Sequence, residues 1–332
     1  MLKTTPRSMA VALLLTTASI GTMVSIGIST EVFAQTPKKE SMKDQLLKLY
    51  DLTNPQVDID KILAPGVPQD GIPPLTDPER VNVASAEYPA PTGRVIEVEI
   101  NGHAVAYPLG ILNFHEIAND TVGGEPIAAT YCPLCDSASV ISRRLEFEGE
   151  TLTLEFGVSG FLYNSNVMMY EKTTNGLWSQ VLMEAVTGPH SGMSVKHYPA
   201  RVISFAEFTA KHPKGEVLTT NTGHARPYDR NPYTAYFDDP DKLFGDFGFT
   251  DERLPHKALG MGVAVGDAAY FIPKTAAVEG PITFTTSKGD VTIKADDSGM
   301  QVVSTPEGAK TIQTFWHSWA AFHPDTEIIS EN

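Results

Sequence analysis

Two alternating runs of apolar and polar residues flank Asn101-Gly102, with Val95-Ile96-Glu97-Val98-Glu99-Ile100 before it and His103-Ala104-Val105-Ala106-Tyr107 after it. A period of two on both sides of Asn-Gly predicts a β-hairpin. Leu109 to Ala118 reads as a short helix carrying His115 and Glu116, and Glu125 to Tyr131 as a strand running into Cys132. Val140–Phe147 and Thr151–Phe156 predict a second hairpin around Glu148-Gly149. Ser204-Phe205-Ala206-Glu207 has capping-box spacing and opens a helix that must stop before Pro213. Ile282 to Lys294 forms a further hairpin, turning at Lys288-Gly289-Asp290.

The second half of the chain echoes the first. Ala258–Pro273 resembles Val95–Leu109, and Ser318–Pro324 resembles Ser204–Pro213. The expected fold is therefore α+β and β-rich, built of antiparallel hairpins with short helices. Two related halves from a diverged internal duplication are expected at 91–213 and 214–332, with the cysteine-bearing half first.

Ahead of this core the pattern is different. Lys3 and Arg7 precede a mostly apolar or small stretch from Met9 to Ile28, and Val32-Phe33-Ala34 offers small residues at the two positions read by a signal peptidase. This predicts a signal peptide over residues 1–34, cut after Ala34, and hence a periplasmic or secreted protein without stable membrane insertion once cleaved. Residues 35–90 read as a peripheral arm. After one short amphipathic helix between Lys38 and Tyr50, Pro55, Pro65, Pro68, Pro73, Pro74 and Pro78 break regular structure. The core domain then spans 91–332.

Charge narrows the partners. Residues 1–34 hold Lys3, Arg7 and Glu31, so the mature chain carries 23 basic against 39 acidic residues, a formal −16. That excess argues against nucleic acid and anionic lipid.

The chain has two cysteines, and they lie together in Tyr131-Cys132-Pro133-Leu134-Cys135-Asp136-Ser137. A disulfide here would close about four residues and contribute only about 2 kcal/mol on the loop-entropy model. Chemistry therefore competes with stapling. No long helix follows Cys135, unlike a thioredoxin-type motif, so a tight turn between two strands is expected, with Pro133 at its second position. Asp136 would oppose a thiolate unless its charge is met elsewhere. His115, just ahead of this strand, is the candidate to assist proton transfer, with Arg143 and Arg144 as weaker ones.

Metal binding is the rival reading. Cys132 and Cys135 could be joined by His115, His190, His197 or His224, and Met168, Met169 and Met183 would suit a soft ion; copper or zinc is the expected metal, whereas dithiol chemistry needs no cofactor. A third reading is a small-ligand binding module with a structural cysteine turn. Its pocket would draw on the stretch Phe156–Asn166, with Ser159, Tyr163, Asn164 and Asn166, together with Trp178, Gln180, Asn231 and Tyr233. Gly-Val-Ser-Gly lacks the full hydrolase elbow, so Ser159 is read as a turn or wall residue rather than a nucleophile.

Several of these segments resemble a prokaryotic family, domain of unknown function 3179, labelled a (seleno)protein family. The matching segments are Ala106–Leu109, Asn113–Asp120, Thr130–Ser137, Phe156–Gly160, Tyr163–Tyr170, Leu177–Gln180 and Asn231–Tyr236, with Arg253-Leu254-Pro255 before Leu259-Gly260. The resemblance adds Glu116 and Asp120 to the pocket candidates. It implies that some members use selenocysteine, which favours redox chemistry, and that some carry Cys-Pro-Leu-Thr at the turn. Cys132 would then attack and Cys135 resolve, exchanging electrons with a small-molecule or protein thiol/disulfide partner.

Overall fold

Asn101 and Gly102 both take positive φ (51° and 77°), which gives the twist of a two-residue hairpin turn between strands Arg94–Ile100 and His103–Pro108. Glu148 and Gly149 do the same between Arg144–Phe147 and Glu150–Thr153. The coordinates are a computed structural model that describes residues 40–245, 248–249 and 251–330; the predicted signal peptide lies outside these residues. With 40% strand against 13% helix, the chain is a β-rich α+β protein. Among the described residues no helix is long and apolar enough to cross a membrane.

One strand order occurs twice. In the first half, Arg201–Ser204, Arg94–Ile100, His103–Pro108 and Glu216–Leu218 lie side by side, paired antiparallel, antiparallel and parallel. In the second, Lys310–Phe315, Leu259–Val265, Ala268–Pro273 and Glu327–Ile328 follow the same order and the same senses. A four-residue helix capped by proline follows the second hairpin strand in each case, Leu109–Leu112 after Pro108 and Lys274–Ala277 after Pro273. A seven-residue helix ends on a His-Pro pair in each case, Phe205–Lys211 at His212 and Trp316–Phe322 at His323.

The strand pairing shifts the alignment of Ser204 with Ser318 by three residues, because Arg94 pairs with Ser204 where Leu259 pairs with Phe315. Ser204 therefore matches Phe315 in position. Strand Glu216–Leu218 lies in the same sheet as the first repeat's hairpin. From Glu40 onward the chain clusters as one compact unit.

The repeats differ in what is inserted after the short helix. The second carries a three-stranded sheet, Ile282–Thr286, Gly289–Ala295 and Met300–Ser304. The first carries the strands Ile117–Val122, Glu125–Cys132 and Ser137–Ser142, then the hairpin Phe156–Tyr163 and Asn166–Glu171. Strand Ser137–Ser142 pairs with Lys310–Phe315 through Ala138 and Gln313, which joins the cysteine hairpin to the second repeat in one sheet.

The helix predicted over Leu109–Ala118 ends at Leu112 instead. Glu116 takes φ 57° and turns the chain into strand Ile117–Val122. Asn119 and Asp120 hid that strand from a reading by β propensity. Their buried side chains are satisfied by specific partners, Asn119 by Leu75 and Phe156 and Asp120 by Tyr107 and Arg80.

Residues 40–90 are stitched to the rest of the chain. Leu63 bridges Leu162, Leu75-Thr76 pairs with Ala118-Asn119, and the Tyr50 hydroxyl donates to the Ser159 carbonyl.

Candidate functional site: a buried cysteine turn

Strands Glu125–Cys132 and Ser137–Ser142 are paired out to Cys132 and Ser137, leaving a four-residue loop. The Cys135 N–H donates to the Cys132 carbonyl at 3.2 Å, and Asp136 closes the loop with φ 44°. This is the predicted turn, with Pro133 at its second position. Both cysteines are unbridged, Cys132 is 1% exposed and Cys135 fully buried, and they lie 4.0 Å apart.

Alternation along the strand places Tyr131 in one core layer and Cys132 in the other, so the pair faces the layer holding Trp178, Trp316 and Met169. Burial pushes the Cys132 thiol well above its ordinary range, and the neighbouring Cys135 adds to this. The backbone N–H groups of Val167 and Leu134 act in the opposite direction, favouring the thiolate.

A second turn meets the first. Asn164 and Ser165, both at positive φ, join strands Phe156–Tyr163 and Asn166–Glu171. The Cys135 thiol donates to the Ser165 carbonyl at 3.0 Å. Asn166 Nδ2 reaches Ser137 Oγ and Gln180 Oε1, both at 2.9 Å, while Gln180 Nε2 donates to Thr130 Oγ1. From the second repeat, the Phe315 N–H donates to the Cys135 carbonyl at 2.7 Å and Gln313 Nε2 to the Asp136 carbonyl. The turn is thus held from three sides.

Asp136 does not oppose the thiols unaided. Its carboxylate receives the Tyr131 hydroxyl at 2.8 Å and the Arg94 guanidinium at 3.0 Å. Sequence reasoning missed Arg94, and no local signal could have found it, because it lies 42 residues away on a different strand. Arg143 and Arg144 serve elsewhere, on the Leu154 and Asp120 carbonyls and on Glu125.

His115 is fully buried with both ring nitrogens engaged. Nδ1 donates to the Pro73 carbonyl at 2.7 Å, and Nε2 accepts from the Tyr228 hydroxyl at 2.7 Å. Burial lowers its pKa to about 4, so it stays neutral and ties the arm to the Tyr228 loop. The adjacent Glu116 is an acid whose carboxyl feels Cys132. It is 6% exposed, Cys132 and burial together push its carboxyl well above the usual range, and no hydrogen-bond donor among the described residues meets it.

Glu116 lines a pocket of about 100 Å³ with Leu134, Val167 and Tyr233, and the arm contributes Pro65, Val67 and Ile72. The arm, read as peripheral, therefore forms one wall of the Glu116 pocket.

The remaining candidates divide. Tyr233 lines this pocket, whereas Asn231 bonds Asn113 beside a separate cleft. Asn166 and Gln180 hold the cysteine turn, as described, and Trp178 packs edge-on against Phe156. Tyr163 meets the Phe322 ring, and Asn164 donates to the Ala321 carbonyl. Ser159 Oγ donates to the Met168 carbonyl inside a β-bulge, and Asp120 pairs with Arg80 and Tyr107.

Met169 and Met183 share the cysteine layer, while Met168 points into the layer with Tyr50 and Phe161. His190 lies against Glu171, His197 pairs with Ile141 at a strand edge, and the His224 ring stands 5.2 Å from His115. Among the described residues, the one group of three or more His, Cys, Asp or Glu side chains with metal-ligand proximity is Glu97, Glu99 and His212, apart from the cysteines. Lys211 and Arg201 already neutralise Glu97 there.

No curated protein and no solved structure matches the chain. Residues 69–312, from the arm that walls the pocket through both repeats, match the family model described as protein of unknown function (DUF3179), and the chain belongs to that family.

Proposed function

We propose that the protein is an exported thiol oxidoreductase in which Cys132 and Cys135 cycle between dithiol and disulfide. The observation that carries this reading is the pair of unbridged, adjacent cysteines in a turn whose backbone is fixed by three surrounding segments. A staple of four residues adds little stability, and so much support around it serves positioning better than cross-linking.

Two features favour Cys132 as the attacking thiol. Its sulfur is met by the N–H groups of Val167 and Leu134, whereas Cys135 enters its hydrogen bond to Ser165 as the donor. On oxidation the two thiols release two electrons and two protons to the acceptor and close the S–S bond. A reducing thiol partner restores them by exchange.

Intact mass and free-thiol counting on the purified protein test this, after reduction and after mild oxidation. The expected result is two thiols converting to one intramolecular disulfide with a loss of two hydrogens, reversibly. A stoichiometric metal that leaves on Cys132→Ser or Cys135→Ser, with no disulfide under any oxidant, would replace this reading by metal binding.

A further inference from the structure

Glu116 is 6% exposed, and no hydrogen-bond donor or cation among the described residues meets its carboxyl. A buried carboxyl without a partner destabilises the empty fold, and an apolar residue would sit there without that cost. The missing partner is one that a ligand can bring. Glu116 lines the pocket of about 100 Å³ to which Phe161, Tyr233 and Phe244 also contribute, with aliphatic walls such as Ile72 and Val158. Phe161 is buried and Phe244 is 39% exposed, so the rings extend from the interior to the surface. Neither cysteine lines this pocket, and the inference below is independent of the thiol chemistry proposed above.

The lining decides the class of ligand. It holds one carboxyl and no basic side chain, so the site is short of one positive charge. Aromatic rings favour a cation as well, through the negative faces of their π-systems. A metal ion does not fit. Hard cations take six or more oxygen ligands, one carboxylate supplies at most two, and no histidine, cysteine or methionine in the lining offers a softer set. A primary ammonium fits poorly, because it carries three diverging N–H donors and most of them would face apolar walls. Size sets the rest. A cavity of about 150 Å³ holds benzene, so this one holds about four or five heavy atoms.

We infer that the pocket binds a small methylated ammonium cation, with Glu116 as its counter-ion and the aromatic rings against its methyl groups. A tertiary ammonium gives its one N–H to the carboxylate, and a quaternary one pairs with it by charge alone. The chain's formal charge of −15 draws such cations toward the protein.

In the empty pocket burial keeps the Glu116 carboxyl protonated, and Cys132 adds to this. The other titratable groups near it are Tyr233, whose hydroxyl burial holds protonated, and its chain neighbour His115, which stays neutral. A cation that pairs with the carboxylate therefore expels one proton. Its affinity rises about tenfold per pH unit until Glu116 ionises in the free protein.

The test is calorimetric titration of the full-length protein from pH 6 to 9 at constant ionic strength. The probes are tetramethylammonium, whose charge is independent of pH, methylammonium, and tert-butanol as a neutral ligand of similar size. Tetramethylammonium should bind at least about tenfold more tightly than either of the others at pH 9. Its affinity should climb with pH as above, with about one proton released, read from buffers of different ionisation heat. E116Q should weaken it by at least about 30-fold at pH 9 and flatten the pH profile. Tyr233→Leu should weaken it about two- to fivefold at every pH and leave the profile's slope unchanged. The ligand comparison and the pH profile need only the wild-type protein, so they decide the matter even if E116Q does not fold. No binding of tetramethylammonium at any pH, a flat wild-type profile, or equal binding of tert-butanol or methylammonium would overturn the inference.

Discussion

The Cys135 thiol donates a 3.0 Å hydrogen bond to the carbonyl oxygen of Ser165, so the tips of two separate hairpins are joined through a thiol side chain. The two sulfurs are consequently inequivalent, one engaged as a donor and the other receiving backbone N–H groups. Replacement should expose this. Cys135→Ser keeps a donor for Ser165 and should leave Cys132 able to react but unable to resolve, accumulating a sulfenic acid or mixed disulfide visible by intact mass. Cys132→Ser should accumulate neither. Each should cost no more than about 1–2 kcal/mol in urea unfolding, the ordinary scale for a near-isosteric change.

Arg94 holds the charge of Asp136 at the foot of the cysteine turn, where the carboxylate is 3% exposed. Removing one partner of a buried pair leaves the other uncompensated. Arg94→Met should therefore destabilise by about 2–3 kcal/mol, somewhat below the fully buried range because the arginine is partly open to solvent. Adding Asp136→Asn should recover part of the loss. A double variant no more stable than Arg94→Met would mean the guanidinium acts through packing instead.

Gly160 lies where the arm crosses the hairpin that supplies Val167. Its φ is 82°, and a Cβ placed there would stand 2.2 Å from the Val67 carbonyl oxygen. Gly160→Ala should cost well over 1 kcal/mol and shift the arm off the pocket, since backbone strain and a backbone clash combine. Gly102→Ala, also at positive φ but with open space around it, should cost about 1 kcal/mol. Equal losses for the two would show that contact with the arm does not matter.

Acid should weaken the fold through its histidines. Burial lowers His115, His197, His317 and His323 from 6.5 to about 4. Between those values the unfolded chain binds protons that the folded chain does not. Stability should thus be fullest above pH 6.5 and fall as pH drops toward 4, by at most about 1.4 kcal/mol per histidine per pH unit. Urea midpoints measured from pH 7.5 to 4.5 should decline over that window, and His115→Asn should make the decline shallower.

The parts legible in the sequence were those fixed by local chemistry. Asn101-Gly102 and Glu148-Gly149 set their hairpins, Ser204 caps its helix through the Glu207 N–H, and Cys132-Pro133-Leu134-Cys135 makes the expected turn. What escaped depended on distance along the chain. His115 reads as a proton partner until Pro73 and Tyr228 arrive from outside its own segment to occupy both nitrogens. Glu116 gives no sign of being the acid that lines the pocket until its positive φ ends the helix and reverses the chain. Val67 and Ile72 sit among prolines that mark a loop, and nothing local says that the loop walls a pocket.

The hydrogen bond from Phe315 to Cys135 has a practical consequence for dissecting the molecule. The family match ends at residue 312, three positions before the amide that closes over the cysteine turn. A fragment trimmed to that limit would retain both thiols yet lose the last clasp on one of them, together with Trp316 and Trp319, which roof the same layer. Similarity between sequences marks where residues recur, whereas mechanical integrity here extends to a segment whose contribution is a main-chain amide, which any residue but proline could supply.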